Sequence, residues 1–154
     1  MHSHKTKILH VDSRHAVYNK GSNLLEFYVP FTGENTYPGE VFRNVVSVEL
    51  HAIKFDGTFS QHTTEPYVIV DVEELNNTTF SNVPHANRAF AVIHTTHDTF
   101  HKTIKFDYHD KVCYFDPPLN SLNRLSFKFM HNSNNQPIDY FDGFVTMIFK
   151  IVVA

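Results

Sequence analysis

The sequence predicts an all-β domain, and two observations lead to that prediction. Apolar and polar residues alternate along most of the chain, which is the pattern of strands with one face in a core. The 154 residues include 15 Phe and 7 Tyr but no Trp, and such aromatic side chains fit the half-buried surface of a sheet. We find no amphipathic helix of ten or more residues, and expect only a short helical turn at residues 83–88.

Nine segments have the pattern of strands, and turns rich in Asn, Gly, Pro and Ser separate them. The predicted strands are residues 6–11, 25–29, 45–55, 68–73, 88–94, 103–108, 111–115, 124–129 and 144–153. Strands of this number and length in one chain of this size indicate a two-sheet sandwich. We therefore predict a single jelly-roll domain of about eight antiparallel strands over residues 1–154, with residues 1–6 as a flexible N-terminal arm.

Two of these segments depart from simple alternation. Residues 45–55 change phase: the apolar face first holds Val46, Val48, Leu50 and Ala52, and then Ile53 and Phe55. A phase change inside one strand predicts a β-bulge or a bend. Residues 144–153 are apolar on both faces except at Thr146 and Lys150, which predicts a strand covered on both sides, by the core or by another subunit.

Composition narrows the class of protein. The formal net charge is −3, so the chain has no basic footprint for a specific nucleic-acid partner. No apolar run is long enough to predict a membrane span, and the first residues do not have the pattern of a signal peptide. Cys113, the single cysteine, has no partner for an internal disulfide and lies in a strand-like run, where a small buried hydrophobe is expected.

The best enzyme-like cluster consists of His94, His97 and His101. Imidazoles bind zinc or iron, and a cupin-like metal enzyme is therefore one alternative for this chain. A cupin needs His-x-His, however, and residues three apart on a strand point to opposite faces. We interpret the cluster as a solvated polar loop and expect no catalytic residue, no metal and no cofactor. The adjacent Glu73 and Glu74 are interpreted as a solvated strand end.

Aromatic residues in polar loops suggest a second alternative. Tyr18, Tyr37 and Phe59 lie in or next to polar segments, where their rings are available to stack on sugars, as in a carbohydrate-binding module. The same residue types anchor protein–protein interfaces. The sequence alone leaves both interpretations open.

Residues 114–129 carry a recognisable motif. They read Tyr-Phe-Asp-Pro-Pro-Leu-Asn-Ser-Leu-Asn-Arg-Leu-Ser-Phe-Lys-Phe. This segment resembles a signature of the small single jelly-roll capsid proteins of nucleocytoplasmic large DNA viruses. Residues 8–14, with Asp-Ser-Arg, and residues 41–50, with Asn-Val-Val-Ser-Val-Glu-Leu, are similar to two earlier parts of the same family. Residues 131–137 depart from the pattern because they lack the expected Gly.

The resemblance implies a structural virion protein rather than an enzyme. It implies a penton, which is a homopentamer at the five-fold vertices of an icosahedral capsid assembled in the host-cell cytoplasm. The expected partners are the major capsid protein and other minor capsid proteins. A minor capsid protein at another position is the alternative within the family. By the same resemblance, the N-terminal arm points inward, and its basic start suits an arm that orders on assembly.

The motif also makes physical sense as a corner of the sandwich. Pro117 and Pro118 cannot donate ladder hydrogen bonds, so we expect them to end a strand. Three leucines are expected to plug one end of the sandwich: Leu119, Leu122 and Leu125. Arg124 is expected to lay its stem over this plug and to hydrogen-bond loop carbonyls.

Overall fold

The structure is a computed structural model that describes residues 4–18, 25–33, 36–59, 67–75, 79–84, 86–94, 102–107, 110–130 and 141–154. These residues form ten strands and two single-turn 3-10 helices, Ser13–His15 and Glu73–Leu75. The strands are β1 (Lys5–Asp12), β2 (Val17–Tyr18), β3 (Glu26–Pro30), β4 (Phe42–Phe59), β5 (Tyr67–Val72), β6 (Ala91–His94), β7 (Thr103–Lys105), β8 (Val112–Leu122), β9 (Arg124–Met130) and β10 (Phe141–Val153). The all-β prediction is confirmed.

The strands form two five-stranded sheets in which every pair is antiparallel. The first sheet has the order β1-β10-β4. Strands β7 and β8 both pair with the far side of β4, at different places along it. The second sheet has the order β2-β3-β9-β5-β6. Side chains from both sheets form one core cluster, so the molecule is a sandwich. The chain repeatedly crosses between the sheets, and the strands next to one another are mostly distant in sequence.

Phenylalanines form the centre of the core. The rings of Phe27 and Phe127 lie 5.1 Å apart, and Phe129 packs edge-on against Phe55 at 6.0 Å between ring centroids. Phe149 on β10 reaches Phe127 at 5.9 Å, which joins the two sheets directly. All five side chains are at most 2% exposed. The aromatic composition therefore serves the inner faces of the sheets, where each ring buries a large apolar area.

The outer face of the second sheet is partly covered by the chain itself. Ile69 and Met130 point outward yet are at most 3% exposed, because Ala86 and Ala89 pack on them. Ala86 belongs to the expected turn at residues 83–88, and Ala89 directly follows it. In this turn the N–H groups of residues 86 and 87 both donate to the Val83 carbonyl at 3.0 Å. The turn prediction is confirmed, and the turn serves as a lid on this sheet.

The phase change in β4 is a bulge, as predicted. Ile148 pairs with Ala52 and Phe149 with Leu50, so His51 is the extra residue that moves the following side chains to the other face. A second irregularity was not predicted. Val152 pairs with Ser47 and Val153 with Val45, which leaves Val46 as another extra residue. The core side chain at this level is therefore Val45, which is fully buried, whereas the assignment of Val46 to the core face was wrong.

The predicted N-terminal arm, residues 1–6, overlaps strand β1. Strand β1 begins at Lys5, which pairs with Val153, and Thr6 pairs with Val152. Both residues pair with the last two residues of β10, and that pairing outweighs their polar character. Residues 1–3 lie outside the described residues, so the arm prediction is corrected for Lys5 and Thr6.

Strand β10 lies in the middle of the first sheet, between β1 and β4. Its odd-numbered side chains from Val145 to Val153 are buried in the core. Its even-numbered side chains from Thr146 to Val152 are half-buried on the outer face. The prediction that one face of this strand lies in the core is confirmed. The other face is only partly covered by the chain itself.

Candidate functional site

Residues 114–129, here called the proline corner, connect the two sheets. The prolines in this corner do not end a strand. Strand β8 continues through Pro117 and Pro118 to Leu122, which corrects the prediction. Tyr114 pairs with Ser47 and Leu119 with Val45, so residues 115–118 all lie opposite the single residue Val46. This segment is a wide bulge that needs no ladder N–H, and prolines are tolerated inside sheets at such bulges.

The leucines after the prolines take the chain across the end of the sandwich. Leu122 ends β8 in the first sheet, and Leu125 lies in β9 in the second, with exposures of 2% and 0%. Leu119 is half-buried against the same core. Between the sheets, the Asn123 carbonyl accepts a hydrogen bond from the Phe31 N–H at 2.9 Å. The three predicted leucines therefore contact one core at the place where the chain changes sheets.

Arg124 forms an ion pair with a carboxylate, and among the described residues its guanidinium donates no hydrogen bond to a loop carbonyl. Its Nε lies 3.6 Å from Glu74 Oε2, and its guanidinium lies 5.7 Å from the Tyr28 ring centroid. Glu74 also accepts hydrogen bonds from the Ser126 N–H at 2.6 Å and from the Ser126 hydroxyl at 2.8 Å. Glu74 therefore binds to β9 and is not a solvated strand end. No local pattern predicts this contact, because 52 residues separate the partners.

A second corner lies where β1 ends, at the Asp12-Ser13-Arg14 segment of the resemblance. Asp12 accepts the Arg14 N–H at 2.9 Å and forms an ion pair with the Arg14 guanidinium at 2.7 Å. The same guanidinium lies 3.8 Å from the ring centroid of Phe144 on β10. Ser13 is 1% exposed, and its hydroxyl accepts the Val145 N–H at 2.9 Å while its carbonyl accepts the Tyr18 hydroxyl. This corner continues the β1–β10 ladder beyond Asp12.

The Arg14 hydrogen bond holds the pKa of Asp12 below its usual range, and the nearby charge of His15 acts in the same direction. A lowered carboxyl pKa adds stability above the ordinary value of about 3.9, and this contribution disappears as the pH falls through the lowered pKa. We expect Asp12→Asn to be less stable than the wild type near neutral pH. The deficit should shrink toward zero in acid.

Urea unfolding of both proteins across this pH range measures the difference. Asp110→Asn, at an exposed aspartate before β8, is the matched control and should show a much smaller change. A deficit for Asp12→Asn that stays constant from neutral to acid pH would show that the charge of Asp12 contributes nothing.

The structure places only one of the three candidate metal ligands. His94 ends β6, is exposed, and its ring contacts that of Tyr67 at 5.6 Å. His97 and His101 lie outside the described residues. Within the described part of the chain, no group of three or more His, Cys, Asp or Glu side chains is arranged to hold a metal ion. Cys113 is buried, as predicted, and burial raises the pKa of its thiol.

A cleft lined by described residues opens along one edge of the sandwich, between β1 and β3. Its volume is about 610 Å³, within the usual range of ligand-binding pockets. Its lining combines apolar side chains with polar groups: His10, Val11, Asp12, His15, Val17, Val29, Pro30, Thr36 and Tyr37. Tyr37, one of the predicted loop aromatics, is 82% exposed at this cleft. Tyr18 is half-buried against the core, whereas nothing is described of the Phe59 side chain.

Sequence comparisons add no family to these observations. No protein-family model matches the chain, and no curated protein shows a significant match to it. Among the described residues, no helix combines the length and the apolar character that crossing a bilayer requires.

Proposed function

We propose that this chain is a single jelly-roll capsid protein and that it forms the penton of an icosahedral large DNA virus. The fold part of the proposal rests on a nested pairing of strands. With the short β2 and β7 set aside, eight strands remain, and the first pairs with the last, β1 with β10. Then β3 pairs with β9, β4 with β8 and β5 with β6. A long hairpin rolled into two sheets has this pairing, which is the arrangement of a jelly roll.

The two corners support the capsid part of the proposal. The proline corner, residues 114–129, and the Asp12-Ser13-Arg14 corner carry the segments that resemble small capsid proteins. In this chain both segments have a structural task, because one moves the chain between sheets and the other extends the β1–β10 ladder. Residues with such tasks fit a protein whose function is its shape. The nested pairing together with the proline corner is the observation that carries the proposal.

A penton requires five copies to pack side by side through heterologous contacts that close into a ring. The sandwich has two lateral edges that suit such packing. Strands β1 and β2 lie on one edge, and β6, β7 and β8 lie on the other. In this proposal the ring fills a five-fold vertex and contacts the major capsid protein around it, in virions assembled in the host-cell cytoplasm. A minor capsid position away from the vertex is the alternative within the same family.

Immunolabelling of intact virions tests the proposal. Antibodies raised against this chain are expected to label particles at their vertices, whereas antibodies against the major capsid protein should label the whole surface. Labelling confined to the facets would favour the alternative minor capsid position. Purified particles that lack the chain altogether would contradict a capsid function, and metal analysis and glycan screening would then test the cupin-like and carbohydrate-binding alternatives.

A further inference from the structure

Phe80 is an exposed aromatic side chain in a segment that lies next to the residues leading into β6. Its side chain is 80% exposed, among the most exposed large apolar residues of the described chain. Thr79, its neighbour, donates its N–H to the Ala89 carbonyl at 3.1 Å and accepts the Arg88 N–H. These bonds hold Phe80 beside the residues that lead into β6, the last strand of this sheet. Because these hydrogen bonds fix the backbone next to Phe80, less backbone freedom is lost when its ring contacts a partner.

The cleft between β1 and β3 lies on the opposite edge of the same sandwich. Strands β2 and β3 begin the second sheet, and β6 ends it. The cleft has apolar walls from Val17, Val29 and Pro30, with Tyr37 exposed beside them. A cavity of about 150 Å³ holds benzene, so a cleft of about 610 Å³ has room for a phenyl ring and its flanking residues.

The strand register places these two features at nearly the same height. Ala91 is level with Phe129 on β9, and Val29 is level with Leu125, four residues along the same strand. Ala89, which holds the Phe80 segment, lies two residues from Ala91 in the direction of Leu125. The remaining offset between Ala89 and Val29, measured along the strand direction, is two residues, or about 7 Å. In two copies that stand side by side in the same orientation, the Phe80 segment of one therefore lies at nearly the height of the cleft of the next.

We infer that Phe80 of one copy inserts into the β1–β3 cleft of a second copy, and that this contact joins neighbouring subunits. The inference rests on the proposed function, because it names the surfaces through which the ring closes. A protruding apolar group and a pocket on different surfaces of one chain make a head-to-tail contact, which generates rings or open filaments. The aromatic ring of Tyr37 and the imidazoles of His10 and His15 provide edges and faces for the inserted phenyl ring.

A mixing experiment with two complementary variants tests this contact. Phe80→Asp removes the inserted ring, and Val17→Lys places a charge at a half-exposed position of the cleft. Each variant alone is expected to be monomeric in sedimentation experiments, at concentrations where the wild type is oligomeric. An equimolar mixture retains one intact ring and one intact cleft, and should therefore form a dimer and nothing larger. The milder Phe80→Ala should weaken association about 30-fold or more.

Tyr114→Ala is the matched control, because Tyr114 is another exposed aromatic residue, 58% exposed on β8. It should leave the oligomer unchanged, and circular dichroism should show that all variants are folded. If Phe80→Asp still forms the wild-type oligomer, the proposed Phe80 contact is wrong, but the proposed ring of five subunits is not contradicted. A wild type that stays monomeric at every concentration also overturns the contact, and vertex labelling then decides the proposed function separately.

Discussion

Replacing Phe129 with alanine is expected to lower the free energy of unfolding by about 3–5 kcal/mol. The side chain is 0% exposed and contacts three other rings, those of Phe27, Phe55 and Phe127, at 6.0–6.4 Å between centroids. Removing it loses the transfer free energy of the ring and leaves a cavity between the two sheets. Such a loss is a large part of the total stability of an ordinary domain. Urea unfolding followed by circular dichroism measures the change.

Phe80→Ala is the matched control for this experiment, because it removes the same group from an 80% exposed position. It should change the stability of the isolated subunit by no more than about 0.5 kcal/mol. Similar stability losses for Phe80→Ala and Phe129→Ala would contradict the arrangement of the two sheets, because one ring would not then be in the core and the other outside it.

A methyl group at Gly143 is expected to be nearly as damaging, at about 3 kcal/mol or more. Gly143 pairs with Gly57 across β10 and β4, and its φ is 154°. A Cβ at this position would lie 2.1 Å from the Asp56 carbonyl oxygen and 2.5 Å from the Gly57 Cα. Both are backbone atoms of a central strand, so relief requires β10 and β4 to separate locally. Thermal unfolding of Gly143→Ala measures the effect.

Gly39→Ala is the control that separates the effect of the steric clash from the effect of a positive φ. Gly39 also has a positive φ, 83°, but the nearest atom to an added Cβ is the Thr36 carbonyl oxygen at 3.8 Å. This variant should lose only the cost of a left-handed alanine, about 1–2 kcal/mol. If Gly143→Ala is no more destabilised than Gly39→Ala, the close approach of β10 to β4 is incorrect.

The alternation of apolar and polar residues predicted where strands lie, because each strand has one face in a shared core. Each of the nine predicted segments overlaps one strand, and four of them, 6–11, 25–29, 68–73 and 124–129, agree with it to within one residue at both ends. Strands β4, β8 and β10 extend beyond their predicted segments, whereas β6 and β7 are shorter than theirs. The change of phase at Ala52 also predicted the bulge at His51 correctly. Strand β2 was missed because two residues, Val17 and Tyr18, are too short to show any period.

The bulges and the corners show where sequence patterns stop being informative. Val46 was assigned to the core because alternation assumes an unbroken ladder, and the wide bulge opposite it in β8 breaks that ladder. Pro117 and Pro118 were expected to end the strand for the same reason, since local chemistry does not show that a bulge will receive them. Glu74 was missed because its partner Ser126 is brought close only by the pairing of β5 with β9.

The candidate interface was predicted only in part. Tyr37 was identified because aromatic residues in polar loops indicate binding surfaces. Phe80 was not, because its position depends on the hydrogen bonds of Thr79 to Arg88 and Ala89, beside the turn that packs on the outer face of the second sheet. The cleft brings β1 and β3 together across two sheets, and no local pattern contains that information.

The native mass of the purified chain, measured over a range of concentrations at neutral pH, tests the central claim most directly. We predict a species of five times the 17.9 kDa chain mass, because five copies closing a ring through one repeated contact make a penton. A trimer, or a dimer at all concentrations, would contradict the penton proposal, since neither fills a five-fold vertex.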